Sequence, residues 1–126
     1  MTLNEYQEQA QRTSREKASV VYVWVKGAPN NGKIRIEQLD NGLQGLCGEA
    51  GECMDILKKF RHQGHDLDVP KLIKELGDVM WYCAETAAAL GVGLDEVARE
   101  NIDKLLKRYP AGFESEKSLH RAEGDV

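Results

Sequence analysis

The sequence predicts an all-α protein, a helical bundle with a small β-hairpin inserted near residues 19–38. Apolar residues recur at helical spacing through three long segments, and glycine or proline follows the last two of them. A short β-branched and aromatic run stands apart from this pattern and predicts the hairpin. With 126 residues, 41% of them hydrophobic and 30% charged, the chain has the size and composition of a single globular domain over residues 1–126.

The first helix is predicted from Leu3 to about Ala18. Thr2 and Glu5 stand three residues apart, which is the spacing of a capping box at a helix N-terminus. A thin apolar stripe follows on an otherwise polar segment, so we expect a helix with one narrow packing face.

The hairpin is predicted between Ser19 and Gln38. Residues 20–25 are β-branched or aromatic, Asn30-Asn31-Gly32 is a turn signal, and residues 34–37 alternate between apolar and polar. A bent continuation of the first helix is the alternative interpretation of this segment.

Three more helices are predicted after the hairpin, followed by a polar tail over residues 111–126 that we expect to be extended. The helices run from Asp40 to about Arg61, from about Asp68 to Gly91, and from Leu94 to Tyr109 before Pro110. Bulky apolar residues at helical spacing are expected to face the core. On the first two of these helices they include Leu43, Met54, Leu57, Phe60, Leu72, Leu76, Val79 and Met80.

Net charge and cysteine usage limit the possible functions. A net charge of −4 argues against binding to nucleic acid or to an anionic membrane, which both favour basic surfaces. Cys47, Cys53 and Cys83 show no metal-binding spacing and are expected to pack as small apolar side chains. No apolar run is long enough to cross a bilayer and the N-terminus resembles no signal peptide, so we expect a cytoplasmic protein.

Four carboxylates form the strongest candidate site. Glu49 and Glu52 are three residues apart on one predicted helix, and Glu75 and Asp78 have the same spacing on the next. Both pairs border the apolar faces, so antiparallel packing would bring four anions together at the margin of the core. Acidic pairs are also common on solvated helix faces. Two such pairs on consecutive helices favour a Mg²⁺ or Mn²⁺ site, because hard cations prefer oxygen ligands.

Glycines recur beside the first acidic pair. Gly45, Gly48 and Gly51 each cost about 0.5–1 kcal/mol relative to alanine inside a helix. We therefore expect a partner backbone or a ligand to come close to them. Their spacing does not fit the G-x-G-x-x-G pattern of dinucleotide-binding folds.

The last long helix carries a polar stripe that includes basic residues, in contrast to the acidic pairs on the two helices before it. Asn101, Lys104 and Arg108 are spaced i, i+3 and i+7, so they share one side of the helix. A stripe of this kind is most often a solvated face. Combined with an acidic metal site, its ammonium, guanidinium and amide groups suit the binding of a polyphosphate.

Several motifs, taken in order, carry a family resemblance. They are Gly48-Glu49-Ala50-Gly51-Glu52, Glu75-Leu76-Gly77-Asp78 with Trp81-Tyr82, Asn101-Ile102-Asp103-Lys104-Leu105, and Arg108-Tyr109-Pro110. Over about residues 39–121 the chain resembles the MazG-like all-α nucleoside triphosphate pyrophosphohydrolases. The resemblance implies a helical bundle that assembles as a dimer, or as a tetramer made of two dimers, and that hydrolyses a (d)NTP to (d)NMP and pyrophosphate.

The resemblance also implies roles for individual residues. Mg²⁺ or Mn²⁺ would be held by Glu49, Glu52, Glu75 and Asp78. As our own hypothesis, Glu49 or Glu52 accepts the proton of the attacking water. Asn101, Lys104 and Arg108 resemble the positions that contact phosphates. Tyr82, one turn beyond Asp78, resembles a position close to the nucleotide.

Recognition of the base is predicted from the inserted hairpin. Trp24 and Tyr82 are candidates for stacking on a nucleobase. Asn30, Asn31 and Glu37 offer acceptors for the donors of guanine, which favours a purine such as dGTP. Residues 19–38 depart from the pattern of close relatives, so no base-binding residue is carried over from the family.

Three alternative functions share much of this pattern. The all-α dUTPases and the phosphoribosyl-ATP pyrophosphohydrolases use the same chemistry with somewhat different glutamate patterns. A helical module that binds a nucleotide and a metal without turnover is the alternative outside the enzymes.

Overall fold

A computed structural model describes every residue from Met1 to Val126, and 64% of the chain is helical. Its contacts divide it into two compact units, Met1–Leu94 and Asp95–Val126. The prediction of an all-α fold with a two-stranded hairpin is confirmed. The elements are α1 (Leu3–Gln11), a 3₁₀ turn (Glu16–Ala18), β1 (Tyr22–Trp24), β2 (Lys33–Arg35), α2 (Ile36–His62), α3 (Val69–Leu90), α4 (Leu94–Arg108) and α5 (Ser115–Leu119).

Helix α1 begins as predicted but ends seven residues early. The capping box is formed, because Thr2 Oγ1 accepts from the Glu5 amide at 3.0 Å and Glu5 accepts from the Thr2 amide at 2.8 Å. The predicted continuation to Ala18 is wrong. Thr13 donates its hydroxyl to the Ala10 carbonyl and Ser14 donates its hydroxyl to a distant side chain. Such hydroxyl contacts compete with the helical ladder, and only a short 3₁₀ turn follows.

The hairpin pairs β1 with β2 in antiparallel register, with Val23 opposite Ile34. Asn30 and Asn31 adopt left-handed backbone with φ of 59° and 58°, which asparagine tolerates better than most residues. The predicted turn therefore lies where its residues indicated. Strand β2 leads directly into α2, so this helix begins at Ile36, four residues before the predicted start.

Helices α2 and α3 form the largest packing interface of the first unit. The boundaries predicted for α3 are confirmed, since the Asp68 carboxylate accepts from the Lys71 amide at 3.0 Å and Gly91 ends the helix with φ of 80°. Helix α1 packs on the C-terminal half of α3. The buried cluster there consists of Ala10, Ala84, Ala87 and Leu94, with Tyr6, Trp81, Cys83 and Val92 packed against it.

The predicted facing of α2 and α3 is largely wrong. The side of α2 that is buried carries Gln38, Gly42 and Ile56, and glycines let α3 come close. The bulky apolar residues lie elsewhere and are exposed, at 57% for Met54 and 52% for Leu76. Others of this set are Leu43, Leu57, Phe60, Val69, Ile73 and Met80.

The second unit contains most of α4, the short helix α5 and the C-terminal residues. Tyr109 and Phe113 pack with ring centroids 5.1 Å apart around the turn that ends α4. The tail is not extended throughout, because residues 115–119 form one helical turn held by amide bonds to the Glu114 carbonyl. None of the helices in the chain combines the length and apolar character needed to span a membrane.

Candidate active site

Three of the four predicted carboxylates meet between α2 and α3. Each of Glu49, Glu75 and Asp78 can place one carboxylate oxygen within 4.8 Å of the others. Glu49 and Glu75 are half-buried and Asp78 is exposed. We call these three residues the carboxylate cluster. Its oxygen donors and its partly open position suit a hard divalent cation.

The electrostatics of Glu49 reflect this crowding. Its pKa is raised by partial burial, by a hydrogen bond with Glu75 and by the negative charges of Asp78, Glu75 and Glu52. Anions held this close favour either a shared proton or a bound cation. The cluster is therefore electrostatically suited to receive a positive charge.

Glu52 lies outside the carboxylate cluster. Its side chain is exposed, one helical turn beyond Glu49 along α2. Its charge still contributes to the raised pKa of Glu49, so it lies close enough to act on the same ligand. The sequence grouped all four carboxylates, whereas the structure separates Glu52 from the other three.

Small residues explain how α2 and α3 come close enough to form the cluster. A Cβ atom added at Gly45 would overlap the ring of Tyr82, and one added at Gly42 would overlap the Thr86 side chain. Gly48 and Gly51 have open space instead. Gly45 thus has a close neighbour, which is an aromatic side chain rather than a backbone or a ligand. For Gly48 and Gly51 the expectation of a close neighbour stays a prediction.

The polar stripe of α4 lies in the second unit. Lys104 and Arg108 line a cavity of ≈ 690 Å³ with Lys117 and Arg121, while Asn101 is exposed and does not line it. The Arg108 guanidinium forms a two-pronged ion pair with Asp125, with N–O distances of 2.7 and 2.6 Å. The Arg108 and Asp125 side chains are only 9% and 16% exposed, so the pair is well shielded.

Comparison with known proteins identifies the family of this chain. Residues 37–113 match the model of the MazG nucleotide pyrophosphohydrolase domain, which is more than half of the chain. The chain belongs to this family. Membership supports a nucleotide pyrophosphohydrolase activity, and the family is generally dependent on a divalent metal.

A curated relative supports the family assignment. The Gene 37 protein of Mycobacterium phage L5 is 40% identical over 81 residues, which cover 61% of this chain and 71% of the phage protein. Its name states no activity. No solved structure matches the chain.

The two aromatic residues predicted to stack on the nucleobase lie in different surroundings. Tyr82 packs on Gly45 between α2 and α3, with its ring 4.9 Å from that of Trp81 in an edge-to-face arrangement. Trp24 is 65% exposed on the hairpin and lines a surface recess of ≈ 400 Å³. The chain thus presents Trp24 to solvent, outside the matched domain, and uses Tyr82 in the packing of α2 on α3.

Tyr6 on α1 lies beside the carboxylate cluster and was not predicted as a site residue. Its hydroxyl donates to the Gly77 carbonyl at 3.5 Å, next to Asp78. Burial raises the pKa of Tyr6, and the charges of Asp78 and Cys83 add to the increase. A tyrosine in a narrow apolar stripe carries no signal of this role, because the same pattern is typical of helix packing.

Glu85 was also missed, although it is fully buried. Its carboxylate accepts four hydrogen bonds, each from a neutral side chain. The donors are Ser14 at 2.6 Å, Gln38 at 2.8 Å, Gln11 at 3.0 Å and Asn41 at 3.0 Å. Burial acts to raise the pKa of Glu85, but the four donors together outweigh it and lower the pKa. A single charged residue within the apolar segment 79–92 is the sequence signal that could have indicated this network.

Proposed function

We propose that this MazG domain hydrolyses a (d)NTP to (d)NMP and pyrophosphate with Mg²⁺ or Mn²⁺ held by Glu49, Glu75 and Asp78. The observation that carries the proposal is the convergence of these three carboxylates between α2 and α3. Family membership supports the class of reaction. The metal would supply Lewis-acid activation of the triphosphate and compensate its negative charge.

The residues present fit such an ion. All three ligands are carboxylates, which hard divalent cations prefer over nitrogen or sulfur ligands. The pKa of Glu49 is raised first by burial and also by the neighbouring carboxylates, whose repulsion a cation would relieve. The influences on the pKa of Glu49 are burial and other carboxylates, with no basic side chain among them. A bound cation would therefore supply the positive charge at the cluster.

Glu52 is the proposed proton acceptor, in preference to Glu49. It stands beside the cluster without belonging to it, so its carboxylate can accept a proton from the attacking water. The water oxygen bonds to the α-phosphorus as the bond from that phosphorus to the bridging oxygen breaks. Pyrophosphate leaves with both electrons of the broken bond.

Lys104 and Arg108 are the proposed phosphate ligands on α4, with Asn101 as a further contact. Lys104 and Arg108 line one cavity, and an Arg fork matches two phosphate oxygens as it matches the Asp125 carboxylate. Asp125 therefore occupies the position that a phosphate group would take at Arg108.

A purine such as dGTP remains the proposed base, with Trp24 as the residue proposed to stack on it. Trp24 is exposed, aromatic and beside a recess, all of which suit stacking. The Asn30 Cβ lies beside Gly91 at the C-terminal end of α3, and its neighbour Asn31 lines the same recess as Trp24. Asp78 is thirteen residues before Gly91, about 20 Å along the helix at 1.5 Å per residue, so the distance from the cluster counts against Trp24 as well as Asn30.

A second copy of this chain is the proposed partner. The exposed apolar residues on α3 at 69, 73, 76 and 80 are spaced four, three and four apart. Leu43, Met54 and Leu57 share a side of α2 with Cys47 and Ala50 at the same alternating spacing. Heptad spacing of this kind pairs helices with helices, and two identical stripes are complementary to each other. A dimer, or a tetramer made of two dimers, would cover them.

Release of pyrophosphate from a panel of common NTPs and dNTPs with Mg²⁺ or Mn²⁺ tests the proposal, with phosphoribosyl-ATP included. Turnover of dUTP alone or of phosphoribosyl-ATP alone would favour the related enzymes. Tight binding without turnover would favour a non-catalytic nucleotide-binding module. The Glu52→Gln variant is expected to keep its fold and to lose turnover, and near-normal hydrolysis by it would refute the role of Glu52.

A further inference from the structure

The contact between α2 and α3 contains a buried polar center outside the carboxylate cluster. Gln38 and Glu85 are the largest fully buried side chains of the protein, and they bond to each other at 2.8 Å. Asn41 adds a second bond from α2, to the other oxygen of Glu85. Gln11, the last residue of α1, and Ser14, just after this helix, donate hydrogen bonds to the same carboxylate. Three parts of the chain therefore meet at Glu85.

Neighbouring glycines bring the backbone of α2 close to α3, because Gly42 lies against Thr86 and Gly45 lies against the Tyr82 ring. The Tyr82 ring fills the space that Gly45 leaves, and the bonds to Glu85 also fix which residues of the two helices face each other. Buried polar contacts are well suited to select one register among several apolar ones.

Register matters directly for the cluster. Glu85 is two turns from Asp78 on α3, about 10.5 Å along the axis, and Asn41 is about 12 Å from Glu49 on α2. A slip of one residue would move Glu49 by about 1.5 Å relative to Glu75 and Asp78. Metal ligands are placed correctly only within about 0.2 Å, so a slip of that size would dismantle the site.

We propose that Glu85 is a positioning residue, whose carboxylate locks α2 against α3 in the register that brings Glu49 to Glu75 and Asp78. This inference rests on the proposed function, because it concerns the same metal site. We therefore expect the affinity for the metal to depend on the shape and hydrogen bonding of the side chain at position 85, and not on the overall stability of the folded chain.

Binding of Mn²⁺ alone to the full chain, followed by electron paramagnetic resonance of the free ion, tests the proposal. Glu85→Ala is expected to weaken binding by at least tenfold in protein that circular dichroism shows to be folded. Asn41→Ala changes an exposed residue, so this variant can be tested even if Glu85→Ala does not fold. Its affinity for Mn²⁺ is expected to fall by about two- to fivefold, because one hydrogen bond to Glu85 is lost. Glu85→Gln should restore most of the affinity, because the amide oxygen accepts the same donors and Asn41 can turn its own amide to match.

Leu94→Ala is the matched control. Leu94 is buried in the cluster between α1 and α3, so its truncation destabilises the unit without touching α2. Its Mn²⁺ affinity should equal that of the unmodified chain. Equal affinity in folded Glu85→Ala, or in Asn41→Ala when Glu85→Ala is unfolded, would overturn the positioning role. An unmodified chain that binds no Mn²⁺ would instead overturn the metal site itself.

Discussion

Arg108 and Asp125 form a two-pronged ion pair within the C-terminal unit, with both side chains largely shielded from solvent. The contact raises the pKa of Arg108 and lowers that of Asp125. The Asp125 carboxylate thus accepts both hydrogen bonds of the guanidinium that was predicted to bind phosphate. Substrate phosphate and Asp125 would compete for it.

Asp125→Asn should lower the KM for the nucleotide, because a neutral amide competes less well for the fork. A decrease of about three- to tenfold is expected from the loss of one charge-assisted pair. Steady-state pyrophosphate release measures it. Glu116→Gln, an exposed substitution on α5 outside the cavity that Arg108 lines, is the control. An unchanged KM in Asp125→Asn would argue that Arg108 does not bind the substrate.

Glu75→Gln should raise the stability of the metal-free chain and abolish stabilisation by Mn²⁺. Removing one anion relieves the repulsion that raises the pKa of Glu49. In the unmodified chain, Mn²⁺ at a hundred times its dissociation constant should add about 2.7 kcal/mol to the free energy of unfolding. Thermal melts with Mn²⁺ and with EDTA measure both effects. Exposed Glu8→Gln should respond to Mn²⁺ as the unmodified chain does.

Gly45→Ala and Gly48→Ala should have opposite effects on stability. The new methyl group at position 45 would overlap the Tyr82 ring, an overpacking that typically costs about 1–3 kcal/mol. The methyl group at position 48 enters open space, so the higher helix propensity of alanine should stabilise by about 0.5–1 kcal/mol. Urea unfolding compares the two. Equal effects would contradict the close packing of Tyr82 on Gly45.

Acid should destabilise the protein in part through Glu85. Because its pKa in the folded chain lies below the ordinary value of 4.5, its contribution is complete above that value and is lost as the pH falls through the folded pKa. The difference in unfolding free energy between the unmodified chain and Glu85→Gln should therefore shrink on acidification. Chemical unfolding at several pH values measures this difference. A constant difference down to the acid limit of folding would show that Glu85 is not held as a carboxylate.

Ile73→Lys should dissociate the proposed dimer, because it places a charge in the middle of the exposed stripe of α3, where Ile73 is 64% exposed. Sedimentation velocity on the unmodified chain should give a dimer or tetramer, and on the variant a monomer. Leu119→Lys alters an apolar residue on α5 that is 78% exposed and should leave the assembly intact. A monomeric unmodified chain would refute the proposal.

The sequence by itself determined the four longer helices, the limits of α3 and the hairpin, because these depend on local signals, whereas the predicted end of α1 and start of α2 were wrong. Asp68 and Gly91 are such signals, since capping needs only neighbouring backbone. Spacing likewise predicted that Glu49, Glu75 and Asp78 lie together, and the order of the motifs indicated the family.

Only the tertiary structure decided which faces meet. Apolar periodicity indicates that a helix has a packing face, but it does not distinguish the interior of one chain from a surface that a partner covers. Leu76 and Met54 were therefore predicted inside and lie outside, while Gly45 and Glu85 form the contact between α2 and α3. The separation of Glu52 from the cluster and the pairing of Arg108 with Asp125 are also tertiary outcomes, because they depend on distances between residues that local sequence does not encode.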